Sequence, residues 1–206
     1  MRLKLPIFIV LEGIDGSGKT TLIERLYSYY YNRNIPVIKL REPTDGVWGI
    51  KIKEMLKNDE PPDANEQVNL FLLDREEDVQ QNILPALKDG KLIIMDRYYY
   101  FNAAYQGAFN ITPASVLTEN TNKRFPKPDR VYLIDIDPDV ALLRIAARNK
   151  RKEEDRDIFE KKHFLQKVRE NYLSICDDSF LVLNGSIAVD DLFQSIVDDI
   201  QNIFNE

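Results

Sequence analysis

Gly13-Ile14-Asp15-Gly16-Ser17-Gly18-Lys19-Thr20 fits the pattern G-x-x-x-x-G-K-[ST]. The glycines let the backbone turn tightly, so that successive N–H groups converge on phosphate oxygens at the N-terminus of a helix, whose dipole favours negative charge. Lys19 adds a mobile point charge, and Thr20 a hydroxyl for Mg²⁺, whose shell an aspartate at the end of another strand would complete. The cradle for a nucleotide phosphate chain is therefore Gly13, Ile14, Asp15, Gly16, Ser17, Gly18, Lys19, Thr20 and Thr21.

Such a loop acts only between a strand and a helix, and the flanking residues supply both. Ile7-Phe8-Ile9-Val10-Leu11 is a β-rich apolar run, and Leu22-Ile23-Glu24-Arg25-Leu26-Tyr27 reads as helix. Pro36 to Arg41 reads as a second strand, ending in Arg41-Glu42-Pro43-Thr44-Asp45-Gly46. In an open parallel sheet ligands bind beyond the carboxyl ends of the strands, so Arg41 either holds a second phosphate or braces the loop through Glu42. Trp48 reads as a packing residue at the start of a helix. A long helix is expected from about Asn65 to Lys88, with Pro85 a point of kinking or early termination. Phe71 and Arg75 are four apart and share one face, either as a ring and a guanidinium for one ligand or as a core residue and a snorkelling surface arginine.

Lys91-Leu92-Ile93-Ile94-Met95-Asp96 is a buried strand ending in the carboxylate the metal requires. Arg97 follows at the same edge, either as a fork for a phosphate monoester or as a structural partner of Asp96. Asn102 to Gly107 reads as helix, with polar groups suited to a base or sugar. Tyr98, Tyr99 and Tyr100 cannot all face one ligand. A mostly polar stretch from Thr112 to Pro128 leads to a strand at Val131–Asp135 and a helix from about Pro138 to Arg148. Arg148, Lys150, Arg151, Lys152 and Arg156 then crowd together, as a solvated helical face or as a flap that closes over a transferring group. A helix at Phe159–Ile175, a fifth strand at Phe180–Leu183 and an amphipathic helix at Ala188–Phe204 complete the chain. His163 reads as a surface or packing residue rather than a base.

Length and composition bound the rest. The 206 residues, 44% hydrophobic and 30% charged, suit one α/β domain over residues 1–206. No apolar run approaches a bilayer span and the N-terminus reads as a strand, which predicts a cytoplasmic protein. The single cysteine, Cys176, precludes an internal disulfide, and one histidine gives no zinc cluster. A formal net charge of −6 argues against a nucleic acid polymer as partner.

Taken together these blocks resemble the thymidylate kinase family, P-loop enzymes that phosphorylate dTMP with ATP. The resemblance rests on Glu12–Thr21, on Arg41-Glu42-Pro43, on Leu70–Arg75, on Asp96-Arg97-Tyr98 with Ala104–Gly107, and on Phe159-Glu160 with Arg169–Tyr172. It implies a P-loop NTPase three-layer sandwich with a five-stranded parallel sheet, order 2-3-1-4-5, flanked by helices, and a homodimer packed through helices. It implies that Phe71 stacks on thymine, that Arg75 reaches its exocyclic oxygen, and that Asn102, with Gln106 nearby, reads the base. Pro43 falls with the same acceptor block. Tyr105 would crowd the 2′ position, Arg97 and Arg41 would hold the acceptor phosphate, and Asp15 would lie near acceptor sugar and phosphate. Thr20 and Asp96 would serve Mg²⁺. Family members place the transition-state arginine either at the position of Gly16 or in the lid. With glycine at 16, the resemblance shifts that role to the lid, about residues 148–157, with Arg148, Arg151 and Arg156 as candidates. The chain departs from the usual pattern at Thr44-Asp45, where Gly-Gly is common, and at Phe101, where serine is frequent.

The reaction implied is transfer of the γ-phosphoryl group of MgATP to dTMP, giving dTDP and ADP. Two polyanions must meet in line, so fixed cations matter more than covalent chemistry. Rival readings are a kinase for a deoxynucleoside or UMP, and a non-catalytic nucleotide-binding module. A GTP switch would need Asn-Lys-x-Asp, and neither Asn122-Lys123-Arg124-Phe125 nor Asn149-Lys150-Arg151-Lys152 supplies the aspartate.

Overall fold

The computed structural model describes residues 3–58, 62–109, 111–149 and 155–205, with the side chains of residues 149 and 155–159 outside that description. Five parallel strands form one sheet in the order β2-β3-β1-β4-β5, as the resemblance implied. They are β1 (Ile7–Glu12), β2 (Val37–Arg41), β3 (Leu92–Asp96), β4 (Arg130–Asp135) and β5 (Phe180–Asn184). β1 lies between β3 and β4, and every one of its residues is buried, as a central parallel strand covered on both faces requires.

Successive side chains of a strand point to opposite faces, and here that alternation divides the core in two. Phe8 and Val10 join Ile93, Met95, Val131 and Leu133 in one layer, covered by helices α2 (Val47–Met55), α3 (Ala64–Asp78), α5 (Tyr99–Gln106) and α8 (Asp155–Ser174). Ile7, Ile9 and Leu11 join Leu92, Ile94, Tyr132 and Ile134 in the other, covered by α1 (Lys19–Tyr31) and α9 (Val189–Phe204). Helix α7 (Pro138–Asn149) adds Ala141 to the first layer. Among the described residues no helix is long and apolar enough to cross a membrane.

One expectation holds and one needs correction. The helix expected from about Asn65 to Lys88 runs without a break from Ala64, capped by Asp63, to Lys88, past Pro85. A π-helical turn, Val79–Ile83, joins α3 to α4 (Leu84–Lys88), and Leu84 N–H reaches back five residues to the Val79 carbonyl. One widened turn just before the proline takes up the ladder defect that an imino ring creates. The polar stretch after Thr112 is not simply a connection: it holds α6 (Pro113–Asn122). Thr112 Oγ1 accepts the Ser115 N–H at 3.2 Å and Pro113 occupies the first turn, a capping signal readable in the sequence.

Candidate active site

The loop from Gly13 to Gly18 leaves β1 and enters α1, as the motif requires. A Cβ on Gly13 would lie 2.6 Å from the Ile134 carbonyl oxygen, and one on Gly16 (φ +84°) 2.6 Å from that of Ala141, so the loop lies flush against β4 and α7. Lys19 is buried and donates to the Gly13 carbonyl at 2.9 Å, the Ile14 carbonyl at 3.0 Å and Ser17 Oγ at 3.2 Å. Burial, then repulsion from Arg97, lowers its ammonium to about 8, while Asp15, Asp96 and Glu12 pull the other way.

Glu12, the last residue of β1, is fully buried. One carboxylate oxygen accepts the backbone N–H of Tyr98 at 2.8 Å and of Phe101 at 3.2 Å, and the other accepts the Tyr172 hydroxyl at 2.8 Å. Tyr98 offers no side-chain cap to α5, so Glu12 caps that helix from a neighbouring strand and ties α8 to the same point. Burial raises Glu12 to about 7, against those donors and the charges of Lys19 and Arg97. The sequence pointed to the loop after Glu12 and gave Glu12 itself no role.

Arg97 follows Asp96 at the end of β3 with φ 68°, left-handed backbone that a non-glycine residue rarely adopts and that recurs at functional sites. Its guanidinium pairs with Asp15 and not with Asp96, so the structural bridge considered from sequence is not the one formed. Although burial pulls Asp15 upward, Arg97 and then Lys19 hold its carboxyl below the ordinary aspartate range. Asp96 is buried, meets Arg41 Nε only at 3.8 Å, and its Oδ1 has no hydrogen-bond partner. A cavity of about 310 Å³ is lined by Asp15, Lys19, Thr20, Arg41, Asp96 and Arg97, with Arg144 and Arg148 from α7 on its rim. Arg151 and the side chain of Arg156 lie outside the described residues.

Arg144 went unremarked in the sequence. It donates to the Gly185 carbonyl at 3.0 Å and lines both this cavity and an adjoining one of about 230 Å³ against Ser17, Leu22, Ile187 and Val189. An apolar recess beside the phosphate loop, with a guanidinium in its wall, suits the nucleoside end of a donor nucleotide.

Around α3, Arg75 is fully buried rather than snorkelling. Glu42 is its bidentate partner, with Nε–Oε1 at 3.2 Å, so Glu42 does not brace Arg41. Its Nη1 also donates to Asn120 Oδ1 at 2.7 Å, and both Nη atoms reach Asn102 Oδ1 at 3.3 Å. The long contacts to Asn102 are the weakest of the set and the first that a ligand carbonyl would replace. Asn102 continues to Gln106 at 2.8 Å, Gln106 to Gln67 at 3.2 Å, and Gln67 to the Pro62 carbonyl at 2.8 Å. Asn120 and Gln67 were missed from sequence because each is a lone amide whose partners come from distant elements. Pro43 is buried after a cis peptide bond to Glu42, in the loop that Asp74 holds through the N–H and hydroxyl of Thr44 at 2.9 and 2.6 Å.

Phe71 is buried with Phe101 beside it, and Tyr105 packs on the Phe101 ring in turn. The Tyr105 hydroxyl accepts the Asp15 N–H at 3.1 Å. Tyr98, Tyr99 and Tyr100 are all core residues, the first edge-on to Phe8 and the third to Phe180. Trp48 is half-buried at the start of α2, with Lys51 Nζ 4.2 Å from its ring centroid. His163 is exposed, and Cys176 is half-buried with its thiol raised by burial.

The family model for thymidylate kinase matches residues 11–196. A thymidylate kinase of Leptospira borgpetersenii serovar Hardjo-bovis is 36% identical over 205 residues, covering 100% of this chain and 98% of its own. A probable thymidylate kinase of Archaeoglobus fulgidus is 37% identical over 199 residues, 97% of each chain, and a thymidylate kinase of Leptospira interrogans is 39% identical over 186 residues, 90% of this chain and 89% of its own. With the phosphate loop, the sheet order and near full-length similarity all in agreement, the chain belongs to the thymidylate kinase family.

Proposed function

We propose that the chain transfers the γ-phosphoryl group of MgATP to the 5′-phosphate of dTMP, releasing dTDP and ADP. The observation that carries this reading is one cavity lined together by Asp15 and Lys19 of the phosphate loop, Arg41, Asp96 and Arg97 at the strand ends, and Arg144 and Arg148 of α7. Paired with Arg97, and held below the ordinary range by Arg97 and Lys19 against the pull of burial, Asp15 fits an orienting group rather than a general base. A phosphate monoester, with a second pKa of about 6, needs no such base, whereas a nucleoside hydroxyl does.

Donor phosphates would lie in the Gly13–Thr21 cradle, with Lys19 leaving its carbonyl partners to meet them. Acceptor phosphate would exchange with Asp15 for the Arg97 guanidinium, and Arg41 would approach from β2. The base would stack on Phe71, with Arg75 and Asn102 at its edge and Gln106 behind. The unpartnered Oδ1 of Asp96, with Thr20 in the same cavity, suits Mg²⁺, which takes one or two protein oxygens and fills its shell with phosphates and water. Bound there, the ion would neutralise charge on the donor phosphates. Arg148, with Arg151 and Arg156 of the lid, would stabilise the transferring group. The reading extends to a cytoplasmic homodimer, for which exposed Val47, Ile50 and Leu73 on α2 and α3 offer apolar surface.

An ADP-release assay across dTMP, dUMP, UMP, CMP and thymidine tests this. Turnover should be highest with dTMP; preference for thymidine, or no turnover with any acceptor, would overturn it.

A further inference from the structure

Arg97 is held in its left-handed turn from both sides. Its own N–H donates to the Leu11 carbonyl at 3.2 Å, and the next N–H along, that of Tyr98, donates to Glu12 Oε1 at 2.8 Å. A residue other than glycine keeps such a backbone only where its surroundings over-determine it, and here the last two residues of β1 do so. The same Glu12 oxygen accepts the Phe101 N–H at 3.2 Å, and the Phe101 ring is the surface over which the Arg97 guanidinium lies, 4.4 Å from carbon to centroid. One acceptor atom therefore governs both the backbone that carries Arg97 and the ring against which its side chain rests.

Two further features give that atom its effect. Glu12 is fully buried, and both of its bonds to the start of α5 are shielded from water. It also stands one residue before Gly13, where the phosphate loop begins, so whatever it holds keeps a fixed relation to the donor cradle. Asp15 of that loop pairs with the same guanidinium. Transfer between two phosphates depends on such spacing more than on any covalent step by the protein.

We infer that Glu12 is a positioning residue: through the amides of Tyr98 and Phe101 it aims Arg97, and so sets where the acceptor phosphate is gripped relative to the phosphate loop. The inference rests on the acceptor reading above, and Glu12 acts only through Arg97. What the role needs is an acceptor oxygen and not a charge. Burial has already raised the carboxyl to about 7, and an amide offers the same oxygen to both N–H groups while its NH₂ donates to the Tyr172 hydroxyl oxygen.

Glu12→Gln and Glu12→Met test it, being nearly the same shape as each other and differing in that oxygen. Glu12→Gln should keep kcat and KM for dTMP within about threefold of wild type. Glu12→Met should raise KM for dTMP about tenfold and lower kcat about a hundredfold, with KM for ATP changed less than about threefold. Matching kinetics in the two variants, whether both are active or both impaired, would overturn the inference. If the methionine variant does not fold, Glu12→Asp, whose carboxylate is drawn back by one methylene, carries the same expectation and the same refutation. Tyr172→Phe loosens α8 without touching either amide, so it should lower the melt and leave KM for dTMP unchanged; a rise equal to that of Glu12→Met would reduce Glu12 to a general structural role and overturn the inference. Arg97→Ala is measured alongside. If it leaves KM for dTMP unchanged, the acceptor reading itself fails; if it raises that KM and Glu12→Met does not, only the role of Glu12 fails.

Discussion

Replacing Glu42 by glutamine isolates the charge that anchors Arg75. The amide keeps the shape and one acceptor oxygen, but its NH₂ faces the guanidinium Nη2–H, donor against donor, where the carboxylate had accepted. Both residues are at most 1% exposed, so water does not screen the loss. Removing one partner of such a buried pair costs about 3–5 kcal/mol. Burial raises the Glu42 carboxyl to about 8 against the pull of Arg75, with Asp78 and Asp74 adding to the rise, so the carboxylate's charge is itself held at a cost and the expected loss lies near the lower end, about 3 kcal/mol. For a chain of this length that is a fall in Tm of roughly 6–12 °C. Circular dichroism melts of wild type and Glu42→Gln measure it. Initial rates should show KM for dTMP rising about tenfold while KM for ATP moves less than about twofold, because Arg75 lies on the acceptor side only. A melt within about 1 °C of wild type with both KM values unchanged would refute the assignment of Glu42 as the anchor.

Asn120→Ala leaves one buried guanidinium N–H unsatisfied at a 2.7 Å contact, and should cost about 2 kcal/mol and raise KM for dTMP, read by the same melts and rates. Lys19 must be charged to stabilise transfer, and burial has lowered it to about 8, so kcat/KM for ATP should fall as pH rises through that value; a profile flat to about pH 9.5 contradicts the role. Lys19→Ala should abolish that limb and reduce turnover by about two to three orders of magnitude with the melt unchanged. Gly16→Ala should reduce activity by about a hundredfold or more, because its methyl meets a backbone carbonyl and not a yielding side chain, and near-normal rates would disprove the close contact.

What could be read from the sequence was what local pattern encodes. The phosphate loop, the five strands and Asp96-Arg97 at a strand end each depend on residues within one strand–turn–helix unit. The partners were hidden wherever they came from far along the chain. Arg75 to Asn120 spans 45 residues and Glu12 to Tyr172 spans 160, and nothing at either end announces the other. Helix α6 was passed over because its exposed polar residues outweighed a Thr-Pro cap. Arg75 was half-read as a surface residue since helical spacing alone does not say how deep a face lies. The alternative bridges, Arg41 with Glu42 and Asp96 with Arg97, failed for one reason: neighbours in sequence at a strand end point apart, and each charge found its partner on another element.

The fit of Gly16 against the Ala141 carbonyl bears on how enzymes of this kind diverge. An arginine transplanted to position 16, the alternative home for the transferring cation, has no room for even its first carbon unless α7 retreats. The same helix carries Arg144 and Arg148, so a retreat of α7 that admitted a side chain at position 16 would also draw both guanidiniums away from the cavity they line. A change at one loop position is thereby tied to the placing of a whole helix.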